Sequence, residues 1–434
     1  MPFRAFCSQV ESPNVRINAE KQRDRPDPRD AQSAVWLTIV GIGEDGIAGL
    51  NTAAREAIGK AEFVFGGRRH LALAETLIAG ETCPWPSPFQ KAVDAVAALR
   101  GRAVCVLASG DPFHFGVGAT LARRIDACEM RVFTAPSAFS LAAARLGWPV
   151  QAVETISLHG RPIALIRAVL HPGCRIIALT SDGKAPAQIA ALLGADGFGS
   201  SPFHVLEGLG GPRERHMKLT AETVEDRVFD DLNVIAVEVA AAPDARILPL
   251  GTGLDEALFE HDGQITKPEV RAVTLAALQP RRGQLLWDIG AGSGSISIEW
   301  LRQHGSLSAI AVEADATRAE RIRRNAENFG APDLRVVSGS APEALGDLPA
   351  PDAIFIGGGG SAPGVMDAAI DALAPGGRLV ANAVTLEMQA VLLDRHARLG
   401  GDLIEIAIAR AAPVGGMTTL RPALPVLQWR WSKP

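Results

Sequence analysis

Two glycine-containing clusters have residue types and a spacing that could hold a nucleotide. In the first, WDIGAGSGSISIEW, Asp288 precedes the glycines Gly290, Gly292 and Gly294, and the acid Glu313 ends the next apolar run. Glycines let a backbone approach its ligand closely, and the helix that follows presents free N–H groups at its first turn. A carboxylate at Glu313 could accept hydrogen bonds from both hydroxyls of a ribose. The cluster therefore predicts a site for a ligand of the adenosine type.

The spacing of these glycines separates two classes of nucleotide. A dinucleotide fingerprint reads G-x-G-x-x-G, but here the third glycine, Gly294, comes one position early. This spacing favours S-adenosylmethionine, whose bound portion has no phosphate, over NAD. The small residues Ser340 and Ala341 follow a later strand, at the place where an adenine ring would lie. Two alternatives stay open: an NAD-dependent oxidoreductase, and a structural role in which the two carboxylates of the cluster only cap the ends of a strand and a helix.

The second cluster is a Gly-Asp-Pro turn, Gly110 to Pro112, that follows the apolar run VCVLAS. Proline has no N–H group, so the hydrogen-bond ladder of the strand cannot continue through Pro112. The result is an open loop at the carboxyl end of a strand, and ligands of open α/β sheets bind at that edge. We expect a second ligand site here, built differently from the first because the glycine spacing and the following residues differ.

The elements that must position these clusters form two α/β runs. From residue 35 to about 239, short apolar strands alternate with helical segments, which predicts a largely parallel sheet. A stretch rich in proline and glycine then breaks the rhythm, so we place a boundary near residue 245. The second run begins with the helix TKPEVRAVTLAAL and ends with two strands, DLIEIAIARA and LPVLQWRW, that should pair antiparallel at a sheet edge. The sequence thus predicts domains over 35–245 and 246–434.

The composition excludes several classes of protein. The formal net charge of −5 argues against a nucleic-acid partner, which would need a basic face. The first 34 residues are rich in Arg, Asp and Pro and lack the apolar core of a secretory signal, so we expect a disordered extension there. No apolar run reaches the roughly 18 residues of a membrane helix, and we expect a cytoplasmic protein with no membrane partner. The five cysteines are scattered, and no metal-binding motif is present, so we predict no metal.

The second run resembles the class I S-adenosylmethionine methyltransferases, which have a Rossmann-like fold. The resemblance rests on D-x-G-x-G-x-G, the following acid, the Pro-Gly-Gly turn of LAPGGRLV and the antiparallel edge pair. With ITKPEVRAVTLAAL and GGRLVANAVTLE it narrows to the decarboxylating C15-methyltransferases of cobalamin biosynthesis, from about residue 260 to residue 434. The resemblance implies that S-adenosylmethionine contacts Thr266, Gly290, Ala291, Gly292, Ser293, Gly294, Glu313, Ser340 and Ala341.

The first run resembles the tetrapyrrole methylases, the class III methyltransferase fold, and within them the C5-methyltransferases of the same pathway. The motifs FGGRRHL, SGDPFHFGVGATLARR, APSAFSLAAARLG and ISLHGRP occur in the order found in that family, over about residues 35 to 240. The resemblance implies a second S-adenosylmethionine, one for each domain. It places the second molecule near Gly110, Asp111, Pro112, Ser137 and His159.

The fusion of both modules resembles the family of decarboxylating precorrin-6B (precorrin-6Y) C5,15-methyltransferases. That resemblance implies methylation of carbon 5 by the first domain, and methylation of carbon 15 with loss of carbon dioxide from the ring C acetate by the second, giving precorrin-8X. The expected partners are the precorrin substrate and further copies of the chain in a homo-oligomer. A methyltransferase of another tetrapyrrole and a non-catalytic ligand-binding protein are the alternatives.

No compact Ser/His/Asp or Cys/His set is visible in the sequence. An enamine-like meso carbon attacks a sulfonium methyl directly and needs mainly alignment, which fits that absence. The catalytic candidates are Asn382, Glu387 and His159. A substrate with many carboxylates needs local cations in an acidic protein, and the substrate-binding candidates are Arg68, Arg69 and Arg410, with His70, Arg213 and Arg215 nearby. Helix capping by Thr385 and Glu387, and ordinary solvated arginines, are the plainer explanations.

Overall fold

The structure is a computed structural model that describes residues 35–434. The disordered extension predicted over 1–34 lies outside the described residues. The chain divides into two compact units, of which one runs to Leu141 and includes Leu209–Arg213. The other comprises Ala142–Gly208 and Glu214–Pro434. The domain boundary predicted near residue 245 stays a prediction, because residues on both sides of it belong to this second unit.

The first unit contains a five-stranded sheet in the order β3-β2-β4-β1-β5, and every pairing in it is parallel. The strands are β1 (Leu37–Ile42), β2 (Phe63–Gly66), β3 (Glu81–Pro84), β4 (Val104–Ser109) and β5 (Met130–Phe133). The helices are α1 (Thr52–Lys60), α2 (Arg68–Leu73), α3 (Gln90–Ala98) and α4 (Val117–Leu121), and α5 (Ala138–Leu146) begins in this unit. Apolar clusters cover both faces of the sheet.

A second sheet, in the other unit, corrects the prediction of one largely parallel sheet up to residue 239. Its order is β6-β7-β10-β8-β9, and β6–β7 is its one parallel pairing among the described residues. The strands are β6 (Glu154–Ser157), β7 (Arg175–Leu179), β8 (Pro202–Glu207), β9 (Arg215–Thr220) and β10 (Asn233–Glu238), and α6 is Ala185–Ala195. The prediction was wrong because β8 and β9 form a hairpin around a glycine-rich turn.

The second unit also contains a seven-stranded sheet in the order β13-β12-β11-β14-β15-β19-β16. Its strands are β11 (Leu285–Ile289), β12 (Ser308–Glu313), β13 (Arg335–Ser338), β14 (Ala353–Ile356), β15 (Arg378–Ala383), β16 (Asp402–Ile406) and β19 (Val426–Ser432). Its helices are α7 (Pro268–Leu278), α8 (Ser295–Gln303), α9 (Ala316–Asn328), α10 (Val365–Ala372) and α11 (Leu386–Leu399). The predicted antiparallel edge is confirmed, because β19 pairs antiparallel with both β15 and β16.

A hairpin that the sequence patterns did not predict lies between β16 and β19. It consists of β17 (Ala409–Val414) and β18 (Met417–Pro422), joined at Gly415, whose φ of +57° suits glycine. Short 3-10 helices occur at Gly46–Gly49, Glu75–Leu77, Ala127–Glu129, Val150–Ala152, Ile163–Val169, Ala221–Thr223, Glu256–Leu258 and Glu343–Leu345. Within residues 35–434, none of the helices has the length and apolar character needed to cross a membrane.

Candidate active site

The glycine loop after β11 forms a wall of a cavity of about 950 Å³. A volume of this order is large enough for a nucleoside and part of a second ligand. Most of the predicted cofactor contacts line it: Thr266, Gly290, Ala291, Gly292, Ser293, Glu313, Ser340 and Ala341. Asn382 and Arg410 line the same cavity, which brings cofactor and substrate candidates together.

The first and third glycines of the loop have different roles. Gly290 has a φ of +69°, and a Cβ atom there would lie 2.4 Å from the carbonyl oxygen of Gly358. Gly294 also has a positive φ, +76°, but a Cβ atom on it would lie 2.7 Å from Ile322 of α9. Gly294 does not line the cavity and instead lets α8 pack closely on α9. The early third glycine therefore has a packing role, and contact with a cofactor at this position stays a prediction.

Glu313 fixes the glycine loop from the end of β12. Its side chain is buried, and its two oxygens accept hydrogen bonds from the backbone N–H groups of Gly292, at 2.8 Å, and Asp315, at 3.0 Å. The residue that caps α9 is Asp315, whose carboxylate accepts from Arg318 N. Each Glu313 oxygen keeps further acceptor capacity toward the cavity, so the geometry fits a hydroxyl-bearing ligand such as a ribose.

Asp288 has the structural role that the sequence left open. It is buried, and one carboxylate oxygen accepts from Ser297 Oγ, at 2.7 Å, and Ser297 N, at 3.1 Å. Burial raises the pKa of Asp288 to about 6, against the opposing effect of the two Ser297 bonds. This contact ties the end of β11 to the first turn of α8 and so sets the shape of the loop between them.

Two buried side chains support the cavity from outside its lining, and the sequence patterns missed both. Arg271 on α7 donates to Glu299 of α8, at 2.6 Å, and to the Thr266 carbonyl, also at 2.6 Å. Asn325 on α9 donates to the Ser293 carbonyl at 2.9 Å. Each therefore holds a predicted cofactor-contact residue by its backbone. The available signal for Arg271 was its helical spacing with the apolar residues Leu275 and Leu278 of α7.

The Ser293 side chain provides a test of whether a ligand fits. Its Oγ is buried and has no hydrogen-bond partner among the described residues, although Ser293 lines the cavity. An unpaired buried hydroxyl costs about 1–3 kcal/mol, which a polar ligand group would recover. Together with the glycine cradle and the Glu313 carboxylate, it fits the adenosine and amino-acid parts of S-adenosylmethionine.

The catalytic candidates in this half have different surroundings. Asn382 faces the cavity, donates to Thr274 Oγ1 at 3.0 Å and accepts from Gln428 Nε2 at 2.9 Å, so its orientation is fixed. Glu387 is exposed on α11 and does not line the cavity, and the structure gives no support to its catalytic role. Thr385 caps α11 as expected, accepting from the Met388 N–H, whereas Glu387 takes no part in that cap.

The predicted strand DLIEIAIARA extended over Arg410, but β16 ends at Ile406 and Arg410 lies in the hairpin strand β17. It forms an ion pair with Glu269 at 2.6 Å, and both side chains are about half exposed. The hydrogen bond from Arg410 lowers the pKa of Glu269 below its ordinary value. The Arg410 guanidinium therefore lies at the cavity beside the Glu269 carboxylate. A substrate carboxylate that binds Arg410 would have to displace Glu269 or share the guanidinium with it.

The Gly-Asp-Pro loop of the first unit is packed against the loop that carries Ser137. The Gly110 N–H donates to the Ile42 carbonyl at 3.2 Å, and the Gly110 carbonyl accepts from Ala135 N at 3.3 Å. Asp111 accepts from the Phe113 N–H at 2.8 Å, and Ser137 Oγ accepts from the Ser140 N–H at 3.2 Å. The backbones of Gly110, Ser137 and their neighbours thus meet at the carboxyl edge of the sheet.

The remaining candidates of the amino-terminal module are distributed over both units. Arg68 is exposed, whereas Arg69 forms an ion pair with Glu44, and substrate binding by either arginine stays a prediction. Arg215 also has a partner, Glu207, at 2.9 Å. His159 lies in the second unit, is exposed, and places Nδ1 3.0 Å from the Thr180 carbonyl, to which it donates.

Comparison with known proteins adds to this geometry. Residues 36–225 match the Tetrapyrrole (Corrin/Porphyrin) Methylases, and residues 257–433 match the Precorrin methyltransferase domain. A Sinorhizobium protein named precorrin-6Y C(5,15)-methyltransferase [decarboxylating] is 60% identical over 92% of this chain and 96% of its own length. The chain belongs to this family. A Mycobacterium tuberculosis protein of the same name is 42% identical over 92% of this chain and all of its own.

A shorter relative is about as long as one of the two modules of this chain. A Pyrobaculum calidifontis protein, named probable cobalt-precorrin-6B C(15)-methyltransferase (decarboxylating), is 39% identical over 181 residues, which are 40% of this chain and 92% of its own. Membership of the precorrin-6Y C5,15-methyltransferase family makes this chain an S-adenosylmethionine-dependent C-methyltransferase and decides against the NAD-dependent oxidoreductase. Within residues 35–434, no group of three or more His, Cys, Asp or Glu side chains is placed to hold a metal ion.

Proposed function

We propose that this chain methylates precorrin-6B, the precorrin-6Y of its relatives' names, at carbons 5 and 15 and removes carbon dioxide from the ring C acetate, giving precorrin-8X. Identity of 60% along almost the whole of a relative with that name carries the proposal. We assign C5 to residues 35–245, and C15 and the decarboxylation to residues 246–434. The short Pyrobaculum relative supports this division, because its 181 aligned residues are about as many as the match at 257–433.

The proposal includes one S-adenosylmethionine site in each module. When bound, S-adenosylmethionine supplies the methyl group. In the carboxyl-terminal module Glu313 would hold the ribose and Ser340 and Ala341 the adenine, while the glycine loop would approach the amino-acid part. In the amino-terminal module we assign the second site to Gly110, Asp111, Pro112 and Ser137, while a contact with His159 stays a prediction of the sequence.

The chain's own residues mainly align the methyl donor with its acceptor and keep water out of the site. Asn382 is locked by Thr274 and Gln428, so it offers a fixed polar contact at the floor of the cavity. Alignment of donor and acceptor can contribute on the order of 7–11 kcal/mol to a two-substrate reaction. Arg410 stands where it could bind a substrate carboxylate. The electrons left by the departing carboxylate pass into the substrate's own ring imines, so this step requires no protein nucleophile.

A titration of the full chain with labelled S-adenosylmethionine tests the two sites. We expect two molecules bound per chain, and one each for Glu313→Ala and Asp111→Ala. With carbon-13-labelled methyl groups, Glu313→Ala should place the label on C5 alone and Asp111→Ala on C15 alone. Decarboxylation should follow the C15 label in every variant.

Three outcomes would contradict the proposal in different ways. Binding of one molecule per chain by the unaltered protein would remove the second site. Label on C15 with Glu313→Ala would reverse the assignment of the modules. Label on a different carbon would indicate another tetrapyrrole substrate. A cytoplasmic location and assembly into a homo-oligomer stay predictions of the sequence.

A further inference from the structure

Four polar side chains form a cluster at the carboxyl edge of the first sheet, beside the Gly-Asp-Pro loop. Glu44 follows β1, Arg69 and His70 follow β2, and Ser109 is the last residue of β4. Strands β2, β4 and β1 are neighbours in the sheet, so the three strand ends bring these residues together. Ser109 immediately precedes Gly110, which places the cluster next to the proposed cofactor loop.

The hydrogen bonds of the cluster have a definite direction. Arg69 is paired with Glu44, donates to Ser109 Oγ at 2.9 Å and contacts His70 Nε2 at 3.0 Å. A guanidinium has no acceptor atom, so His70 Nε2 must accept and its proton must be on Nδ1. Ser109 Oγ lies 2.8 Å from the same Nε2. The serine hydroxyl is therefore between a donor, Arg69, and an acceptor, His70.

The charge state of His70 suits an acceptor. Burial, followed by the charge of Arg69, lowers the pKa of His70 to about 4, so the ring is neutral near pH 7. Ser109 is exposed whereas His70 is half-buried behind it. A proton taken at the Ser109 hydroxyl can thus pass inward to an unprotonated imidazole, and the lowered pKa of that imidazole favours onward release of the proton to solvent.

The proton balance of the proposed reaction differs between the two modules. Replacing a carbon-bound hydrogen by a methyl group from a sulfonium yields a neutral thioether and releases one proton. Loss of carbon dioxide from an acetate side chain leaves a methyl group and takes up one proton. At C15 the two steps cancel, but methylation at C5 leaves one proton to be removed. The amino-terminal module therefore needs a proton acceptor that the other module does not.

We propose that Ser109 and His70 are that acceptor, an inference that rests on the proposed C5 methylation. When the new carbon–carbon bond has formed, the C5–H bond breaks and its electron pair returns to the ring system. The proton goes to Ser109 Oγ while the hydroxyl proton moves to His70 Nε2. Arg69 and Glu44 are positioning residues, since they orient the serine and the imidazole.

Two other acceptors in the same unit are less suited. Asp111 already accepts the Phe113 N–H at 2.8 Å, which stabilises the turn itself. The ring of His114 packs between Phe115 and Phe139, with centroids 5.3 Å and 4.8 Å away. Within residues 35–434, no hydrogen bond joins either side chain to a second polar side chain that could pass the proton on.

In heavy water a deuteron can take the place of the methyl group as the electrophile that adds to C5, so the following loss of the C5 proton to Ser109 and His70 can be measured without methyl transfer. The full chain is incubated with precorrin-6B and S-adenosylhomocysteine in D2O, and deuterium at C5 is followed by NMR. We expect exchange with the unaltered chain and a loss of about a hundredfold in rate with Ser109→Ala and with His70→Gln, the scale of a general base. Ser109→Thr keeps the hydroxyl and should restore exchange, which a purely structural effect would not predict.

Controls separate this inference from the function on which it rests. Ser87→Ala changes an exposed serine of the same unit outside the cluster and should exchange like the unaltered chain. Binding of two S-adenosylmethionine molecules per chain by each variant reports whether both modules are folded. If the unaltered chain never methylates C5, the proposed function fails. If it does, and both Ser109→Ala and His70→Gln still exchange C5 at the full rate, the acceptor is wrong; a loss with Asp111→Asn alone would assign the role to Asp111.

Discussion

Arg271 and Glu299 form an ion pair between α7 and α8 in which both side chains are essentially inaccessible to solvent, 0% and 1% exposed. The pair also forms hydrogen bonds with four nearby backbone groups. Glu299 accepts the N–H groups of Gly253 and Leu254, and Arg271 donates to the carbonyls of Thr266 and Leu254. The segment that carries Thr266 is therefore held in place by a charge network behind the cavity.

Removing one charge of this pair should destabilise the chain strongly. Arg271→Met leaves the Glu299 carboxylate buried without its counterion, and breaking such a pair costs about 3–5 kcal/mol. The free energy of unfolding, measured with a denaturant, should fall by about this amount. The affinity of the carboxyl-terminal site for S-adenosylmethionine should fall too, because the Thr266 carbonyl loses its donor.

A double variant distinguishes charge from packing. Arg271→Met with Glu299→Leu removes both charges and should be less destabilised than Arg271→Met alone. Arg398→Met, at an exposed pair with Asp394, provides the control and should change stability by less than about 1 kcal/mol. Equal stability of Arg271→Met and Arg398→Met would contradict the role of the buried pair.

The raised pKa of Asp288 predicts an unusual dependence of stability on pH. Its carboxyl has a pKa of about 6 when folded and an ordinary value of 3.8 otherwise. Between these values the folded chain binds more protons than the unfolded chain, so stability falls as pH rises toward 6 and then stays level. The loss is about 3 kcal/mol, and Asp288→Asn should abolish it.

Unfolding free energies measured from about pH 4 to pH 7 check this dependence. Ser297→Ala removes the hydroxyl bond that favours the carboxylate and keeps the bond from the backbone N–H, so it should make the fall with pH larger. If the unaltered chain and Asp288→Asn gave parallel profiles, Asp288 would not be the titrating group.

Gly41 should tolerate no side chain, because it lies against the Gly-Asp-Pro loop. A Cβ atom on Gly41 would be 1.9 Å from the Gly110 carbonyl oxygen and 2.8 Å from Ala135 N, and both are backbone atoms. Gly41→Ala should therefore cost about 1–3 kcal/mol and displace the loop. Product analysis should show less C5 methylation with C15 methylation retained.

Gly59 in α1 is the matched control within the same unit. Its Cβ position meets only the Leu77 carbonyl at 3.5 Å, an ordinary contact. Gly59→Ala should stabilise the chain by up to about 1 kcal/mol, since alanine favours a helix over glycine. A loss of C5 methylation with Gly59→Ala as large as with Gly41→Ala would show that the effect is not local to the loop.

The parts of the site that depend on local sequence were predictable. A glycine loop between a strand and a helix, with an acid at the end of the next strand, has few possible geometries, so Gly290, Gly292 and Glu313 were placed correctly at one edge. The antiparallel end of the large sheet was predictable for the same reason, since two strands without a helix between them can hardly pair parallel.

The parts that depend on distant partners were not predictable from the sequence. Nothing near Arg69 in the chain indicates that Glu44 neutralises it, and nothing near Arg271 indicates Glu299. The second sheet was wrongly predicted because a short strand has the same pattern in parallel and antiparallel pairings. Glu387 ends the motif GGRLVANAVTLE, which resembles the family. It lies one residue before the third helical position, from which a side chain could complete the cap of Thr385, and it is therefore on the exposed face of α11.

Arg410 should contribute to binding of the tetrapyrrole and little to stability. Its pair with Glu269 is half exposed, so Arg410→Gln should change the free energy of unfolding by less than about 1 kcal/mol. Since the guanidinium lines the cavity, the KM for the tetrapyrrole in C15 methylation should rise about tenfold with kcat nearly unchanged, as expected when binding is lost equally in ground and transition states. The affinity for S-adenosylmethionine and the C5 step should not change. Arg398→Gln, another exposed arginine in an ion pair, is the control; an unchanged KM with Arg410→Gln, or an equal rise in both variants, would show that Arg410 is only a solvated surface residue.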